Sequence, residues 1–343
     1  MRRREVALPP SNAWRAPRLL VLADGVPLAG VEAAEVLSGG YFSADMFRVR
    51  AALTGGIGGW AATTAAAIDV QIALSPVGGF VSLLQGQVDT IGLDPVAAEL
   101  TLEGRDLSAL LIEARTQEIF ANQTASEIAT TLAGRHGLAA DVQTTSTPVG
   151  RFWELEHDSL TLDAGTRATT EWDLLATLAG WEGFDLWVSQ GALHFRPPEI
   201  GIAPMLLTPE DFVALRLDRA LTFAGDINVT VKSWHSRLGS MCVASAGTER
   251  GGVVRDYVFV VPNLTPDAAQ TLAQRKLDEI SRHELLLRGE MPGELTLSPR
   301  MMIQLVGTNS IFDRVWQVDA VDRHLSMRDG FTQTVTARAS STG

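Results

Sequence analysis

The chain has 343 residues, 46% of them hydrophobic, and a formal net charge of −12 at pH 7. This length suggests two or three domains, and the acidic balance argues against a protein that binds duplex DNA, because phosphate contacts need clustered lysine and arginine. The single cysteine, Cys242, excludes an intramolecular disulfide framework and a zinc site built from several thiolates. No apolar run reaches the roughly 18 residues that a membrane-spanning helix needs, so no membrane insertion is expected.

The N-terminal segment resembles an export signal only at its first four residues. Met-Arg-Arg-Arg is typical of the start of a signal peptide, but Glu5, Pro9 and Pro10 stand where an apolar core would follow. We therefore interpret residues 1–16 as an N-terminal arm, and we expect synthesis and assembly in the cytoplasm.

Residues 17–104 consist of short segments in which apolar and polar residues alternate. In one of them, Phe47 and Val49 alternate with Arg48 and Arg50. A period of two is typical of strands with one buried face, and glycine, proline and aspartate separate the segments as turns. The pattern indicates a sandwich or a small barrel, and we interpret residues 17–104 as a first β-barrel domain.

Residues 105–205 change to an α/β pattern. Two helices are predicted to begin at capping boxes, Thr124 with Glu127 and Thr170 with Asp173, in which each side chain satisfies a backbone group of the first turn. Glycines that can adopt a left-handed conformation are predicted to end both helices. A hairpin that turns at residues 190–191 follows the second helix.

The remaining chain is predicted to form a second barrel with an insertion. Its first part is residues 206–241 and its second part is residues 293–343. Between them, residues 242–292 form an α/β insertion with the longest helix of the chain. Thr265 is a favourable N-cap for this helix, and Pro266 suits the first helical position, where its missing N–H removes no hydrogen bond.

An internal similarity links the two predicted barrels. Residues 86–91, Gly-Gln-Val-Asp-Thr-Ile, parallel residues 316–321, Trp-Gln-Val-Asp-Ala-Val, and a second strand follows each segment. Two unrelated hairpins of common residues are the alternative explanation. We interpret the chain as α+β and mainly β, with two similar small β-barrels flanking and interrupted by an α/β region.

The sequence offers little that indicates catalysis. No two histidines have the spacing of a common metal site, and Cys242 has the apolar neighbours of an inert core thiol. The most enzyme-like cluster is Glu154, Glu156, His157 and Asp158, whose carboxylates would share one face of a strand. We predict no catalytic residue, no cofactor-binding residue, no metal ligand and no cofactor.

Two other functions remain open as alternatives. Paired carboxylates at Glu154 and Glu156 could hydrolyse a glycosidic bond, as in a tail-associated peptidoglycan hydrolase. Exposed aromatic rings could instead bind a glycan, as in a carbohydrate-binding module; the candidate residues are Trp153, Trp172, Trp181 and Trp187.

Several segments together resemble the late control D family of baseplate hub proteins from contractile phage tails, which is related to the hub portion of type VI secretion spike proteins. The first is Gly-Arg-Asp-Leu at residues 104–107. The pattern Phe-x-Asn-x-Thr-x-Ser-Glu-Ile-Ala follows at residues 120–129, and His-Gly-Leu at residues 136–138. Further similar segments extend the resemblance over most of residues 40–340.

The resemblance implies a structural role rather than an enzymatic one. It implies a homotrimeric ring that connects the tail tube to the central spike of a phage or phage-like particle. The expected partners are further copies of this chain, the tail spike protein, the tail tube or distal tail protein, and the tape measure protein as a further contact. The expected location is the tail baseplate of the virion, and no specific binding to nucleic acid is expected.

Overall fold

The structure of this protein is a computed structural model. It describes residues 16–54, 56–74, 78–116, 118, 120, 123–146, 149, 169–199, 202–235, 239–262 and 264–339. No helix within these residues is long and apolar enough to cross a membrane.

Among the described residues, strands are far more numerous than helices. The strands are β1 (Arg18–Ala23), β2 (Val26–Pro27), β3 (Val31–Gly39), β4 (Met46–Ala52), β5 (Ala67–Ala73), β6 (Val81–Asp94), β7 (Glu99–Asp106), β8 (Ala139–Val142), β9 (Asp185–Ser189), β10 (Ala192–Arg196), β11 (Met205–Leu207), β12 (Ala214–Arg219), β13 (Ile227–His235), β14 (Ser240–Gly247), β15 (Arg255–Val260), β16 (Leu285–Pro292), β17 (Met302–Leu305), β18 (Val315–Ser326) and β19 (Gly330–Ala339). The helices are α1 (Ile57–Ala61), α2 (Ala109–Glu113), α3 (Ala125–Arg135), α4 (Glu171–Glu182) and α5 (Pro266–Ser281). The α+β, mainly β class is confirmed.

One 13-stranded sheet contains the same strand order twice. The first unit runs β1-β5-β6-β7-β4-β3, and the second unit runs β11-β17-β18-β19-β16-β12. The corresponding strands also follow one another in the same order along the chain. The units differ where β1 pairs antiparallel with β5 but β11 pairs parallel with β17.

The prediction that each unit forms a barrel is wrong, because the described sheet does not close. Closure of the first unit would require β3 to pair with β1, but β3 uses its second edge to pair with β18 of the second unit. This seam runs from Gly39 opposite Ala320 to Ala33 opposite Ser326, and it joins both units into one open sheet. Each unit nevertheless buries its own apolar core, because alternate residues of its strands face the same side.

The α/β region packs three helices against the small sheet β8-β10-β9. The capping box of Thr124 and Glu127 is confirmed at the start of α3, and Thr170 caps α4 by accepting from the backbone N–H of Asp173. The carboxylate of Asp173 accepts from Thr169 rather than completing a second box. Gly183 ends α4 in the left-handed conformation with φ 72°.

A third sheet, β14-β13-β15, packs one face against α5. The expectation that residues 206–241 lie wholly in the second barrel is therefore wrong, because β13 pairs with β14 and β15 and leaves the large sheet. The start of α5 is as predicted, with the Thr265 side chain accepting from the N–H of Ala268 and Pro266 in the first turn. The insertion is thus a separate layer with its own core.

We expect the Leu277→Ala variant to lose about 2 to 5 kcal/mol of the free energy of unfolding, the usual range for a buried leucine. Leu277 lies on the buried face of α5 with 5% of its surface exposed, beside Ala273 and Ala269. Urea denaturation measures the loss, with exposed Gln274→Ala on the same helix as the matched control. Equal stability of the two variants would contradict the packing of this face.

Candidate functional site

The residues that gave the sequence its enzyme-like appearance are not among those that the structure describes. Glu154, Glu156, His157 and Asp158 lie outside the described residues. Among the described residues, no group of three or more histidine, cysteine, aspartate or glutamate side chains could hold a metal ion. Cys242 lies half-buried in β14, at the margin of the core beneath α5.

The three tryptophans proposed for glycan binding that the structure describes are not all exposed. Trp172 is buried, and its indole Nε1 donates to the carbonyl oxygen of Phe42 at 2.7 Å. Trp187 stacks on His194 with ring centroids 4.5 Å apart, and the guanidinium of Arg300 lies 4.3 Å from its ring centroid. Trp181 is 41% exposed. Trp153 lies outside the described residues.

The similar segments of the two units occupy corresponding places in the sheet. β6 and β18 each contain a bulge in their pairing with the next strand, one between Val88 and Thr90 and the other between Val318 and Ala320. The residue passed over is Asp89 in the first unit and Asp319 in the second. Because a bulge interrupts the strand pairing at a defined residue, the two bulges show which residues of the two units correspond.

Each bulge aspartate pairs with an arginine on the neighbouring strand. Arg105 donates to Asp89 from Nε at 2.6 Å and from Nη2 at 2.9 Å, and Arg338 places its Nε 3.1 Å from Asp319. Arg105 lies opposite Gln87, and Arg338 lies opposite Gln317. The repeat thus includes the bulge, the acid and its basic partner.

The surroundings of the two aspartates differ because Asp319 lies at the seam. The Asp319 side chain is 7% exposed, whereas that of Asp89 is 35% exposed. Arg282 of the inserted layer also contacts Asp319, at 3.2 Å, and the Tyr41 ring lies under the guanidinium groups of Arg282 and Arg338. Burial raises the pKa of Asp319, and the two guanidinium groups partly oppose that shift. This cluster connects the first unit, the second unit and the inserted layer.

Two more ionisable groups are buried near the seam. Burial raises the pKa of Asp106 to about 7, although the hydroxyl and N–H of Ser108 stabilise the carboxylate and Asp45 adds a smaller like-charge effect. Burial lowers the pKa of Arg323 to about 10, and its guanidinium donates to the carbonyl oxygen of Leu297. In both groups burial disfavours the charged form.

The pKa of Asp106 predicts a fall in stability as the pH rises. The unfolded carboxyl ionises near pH 4 and the folded one near pH 7, so the folded state holds the extra proton between these values. The stabilisation is fully present below pH 4 and is lost as the pH rises through about 7. Asp106→Asn should therefore gain stability relative to the parent chain between pH 4.5 and pH 7.5, as measured by urea denaturation. A constant difference would contradict the raised pKa.

The two units leave complementary strand edges unpaired. On the side away from β7, β6 pairs with β5 as far as Gln87, and the N–H of Val88 donates to the carbonyl oxygen of Ala66 at 3.0 Å. No described strand pairs with this side of residues 89–94. β12 pairs with β16 alone and ends the described sheet. These are the counterparts of the two strands that meet at the seam, since β6 corresponds to β18 and β12 to β3. The free edges form the candidate functional site, which we call the assembly edges.

Comparison with solved structures agrees with this architecture. The tail protein of Neisseria meningitidis matches with a TM-score of 0.71 and 16% identity over 94% of this chain and 96% of that chain. The 43 kDa tail protein of prophage MuSo2 from Shewanella oneidensis matches with a TM-score of 0.69 and 15% identity over the same shares. An E. coli component of the type VI secretion system matches with a TM-score of 0.57 and 14% identity, over 94% of this chain and 77% of that chain.

This chain has the fold of phage tail proteins. The resemblance that the sequence shows to the baseplate hub family is thereby confirmed at the level of the fold. No protein-family profile matches the sequence, and no curated protein matches it.

Sequence reasoning missed the residues on the assembly edges of this tail-protein fold. Arg216 and Asp218 lie in a short strand and Asp94 lies directly before a turn, and no motif in the sequence distinguishes them. Their signal is visible only after the repeat is aligned strand by strand. The Gln-Val-Asp similarity was the one feature of the sequence that could have started that alignment.

Proposed function

We propose that this chain is a structural hub protein of a phage or phage-like tail, in which three copies form a ring that connects the tail tube to the central spike. The observation that carries the proposal is the repeated strand order of the two units, including their bulges at Asp89 and Asp319. The fold shared with phage tail proteins supports the same setting.

The repeat explains how one ring could meet partners of two symmetries. Three chains contain six units of one strand order, so a threefold ring would present six similar surfaces in alternation. A sixfold tube could then contact every unit, while a threefold spike could use the features that differ between the units. Closed cyclic assemblies permit such matches because each step uses the same surfaces.

The unpaired edges supply a reason for assembly. An exposed strand edge offers backbone donors and acceptors that can pair with another chain, and proteins commonly cover such edges. The free edges of β6 and β12 correspond to the edges of β18 and β3 that pair at the seam. A head-to-tail contact between β6 of one copy and β12 of the next, repeated around a ring, would therefore cover both assembly edges of every copy. Such a contact ends without free edges only in a closed ring.

The proposed partners follow from this position in the tail. They are two further copies of this chain, the tail spike protein, the tail tube or distal tail protein, and the tape measure protein as a further contact. The proposed location is the tail baseplate of the virion, after assembly in the host cytoplasm. The acidic composition, with a net charge of −12, favours a hub that does not bind nucleic acid specifically.

Native mass spectrometry of the purified chain tests the ring. We expect a mass of three chains, and electron microscopy should show a closed particle with regular departures from sixfold symmetry. A monomer or a dimer across a range of concentrations would contradict the proposal, as would an open filament.

We also propose that the role is structural and not enzymatic. Zymography against peptidoglycan should show no cleared band, and elemental analysis should show no stoichiometric metal. A cleared band that is lost in Glu154→Gln or Glu156→Gln would instead favour the hydrolase. Specific binding on a glycan array would favour the carbohydrate-binding module.

A further inference from the structure

The seam inside the chain provides a template for a contact between chains. Seven residues of β18, from Ala320 to Ser326, pair antiparallel with β3, from Gly39 to Ala33. On the outer face of this seam, His324 lies opposite Glu35 with their side chains 3.5 Å apart. On the inner face, Arg323 lies opposite Val36, and both are buried. The seam therefore joins two cores and carries a polar pair outside.

The bulges and ladders align the free edges with this template. Gln87 of β6 corresponds to Gln317 of β18, because each lies opposite the arginine that binds the bulge aspartate. This places Leu93 at the position of Arg323 and Asp94 at that of His324. Leu217 of β12 corresponds to Val36 of β3, because Leu217 lies opposite Leu287 and Val36 lies opposite Phe47 in the equivalent strands.

We propose that β12 of one copy pairs antiparallel with the second half of β6 of the next copy, in the register that β3 and β18 use within one chain. This inference rests on the proposed ring and names the surface that builds it. In that register Leu93 lies opposite Leu217, Asp94 opposite Arg216, and Gly92 opposite Asp218.

The side chains at these positions suit the pairing. Leu93 and Leu217 are both half-buried at the margins of their own cores, so their approach would bury apolar surface from two units together. Asp94 and Arg216 carry opposite charges on the outer face, where the seam has His324 and Glu35. The Arg216 side chain is 76% exposed, with its guanidinium bonded only to Asp218 among the described contacts, so it is free to reach a second carboxylate.

The occupant of the assembly edges is therefore a second copy of the same chain. An unrelated strand would satisfy the backbone groups, but it would have no reason to present both the leucine and the complementary charge at the correct spacing. This chain itself presents both features on its second free edge, since β12 carries Leu217 and Arg216 at the spacing that matches Leu93 and Asp94 of β6. The register also disfavours a shift by one residue, because such a shift would move the leucines to the outer face.

A designed disulfide tests the register directly. Gly92→Cys and Asp218→Cys, combined in a Cys242→Ser background, would place the two cysteines directly opposite each other across the interface. Cross-strand Cα atoms about 4.5 to 5.5 Å apart can be joined by a disulfide. After mild oxidation we expect covalent trimers on a non-reducing gel, with each single-cysteine variant remaining monomeric on that gel.

A pair out of register is the matched control. In the pair Gly92→Cys with Ala214→Cys, the second cysteine lies four residues, about 13 Å, away along β12 from the position opposite residue 92. This pair should therefore form no disulfide. Efficient linking of the control pair, or none of the designed pair in particles that are trimeric by native mass, would overturn this interface but leave the proposed ring standing. A parent chain that is monomeric by native mass would overturn both.

A charge exchange provides an independent test of the predicted ion pair. Arg216→Glu and Asp94→Arg should each weaken assembly about tenfold or more, because each places like charges opposite one another in the interface. The double variant Arg216→Glu/Asp94→Arg should restore assembly most of the way. Circular dichroism of the subunit checks that the fold is retained. Single variants that assemble like the parent, or a double variant weaker than both, would contradict the pairing.

Discussion

Trp316→Ala is expected to lower the free energy of unfolding by about 3 to 5 kcal/mol, the range for a large aromatic side chain removed from a core. Trp316 has 0% of its surface exposed and lies in the core of the second unit. Its indole Nε1 donates to the carbonyl oxygen of Phe312 at 3.2 Å, and the two rings stack nearly parallel with centroids 6.3 Å apart. The alanine variant would leave a cavity and an unpaired carbonyl group.

Trp181→Ala is the matched control for this prediction. The Trp181 side chain is 41% exposed at the end of α4, so its loss should cost under about 1 kcal/mol. Urea denaturation of the parent and the two variants gives both values. A similar small loss for both tryptophans would contradict the packing of the second unit.

Gly104→Ala is expected to destabilise the first unit by at least about 3 kcal/mol, because the structure has no space for a methyl group there. A Cβ atom at this position would lie 2.0 Å from the main-chain oxygen of Gln87 and 2.8 Å from the Phe47 ring. The ring could move, but the oxygen belongs to the paired strand β6. Relief would require the strands around the bulge to separate.

Two further variants make the test specific. Gly92→Ala lies in the same strand pair, where the nearest atom to a new Cβ is 3.4 Å away on Thr101, so it should be tolerated. Adding Phe47→Leu to Gly104→Ala copies the second unit, where Leu287 and Ala337 occupy the corresponding positions. This double variant should recover part of the stability. Thermal unfolding by differential scanning calorimetry measures all of these differences, and a Gly104→Ala variant as stable as Gly92→Ala would refute the argument.

The same positions show how the two units diverged in packing while they kept one register. Gly86 corresponds to Trp316, and a Cβ atom at Gly86 would lie 2.0 Å from the carbonyl oxygen of Arg105. In the first unit, the backbones of β6 and β7 therefore approach closely at Gly86. At the corresponding position the second unit has the large side chain of Trp316. Volume is redistributed between neighbours, since the larger Phe47 accompanies Gly104 and the smaller Leu287 accompanies Ala337. Because the side chains at corresponding positions differ in size, a comparison of the two sequences detects little beyond the Gln-Val-Asp segment.

Local patterns in the sequence determined the helix starts, the hairpin and the strand character of this protein. The capping box at Thr124, the proline at the start of α5, and the hairpin turn at Gln190 and Gly191, with φ 49° and 73°, depend on atoms a few residues apart. Such interactions are specified by the residues that make them. The mainly β class and the two related units followed from the same patterns and from one repeated segment.

Only the tertiary structure decided which strand edges meet. β3 and β18 are far apart in the sequence, and every strand edge offers the same backbone donors and acceptors, so alternation alone cannot select a partner. The choice of β18 over β1 keeps the first unit open, buries Asp319 while its counterpart Asp89 stays partly exposed, and leaves β6 and β12 with free edges. The assembly edges follow from that choice, because an edge is free only when the rest of the fold has paired elsewhere.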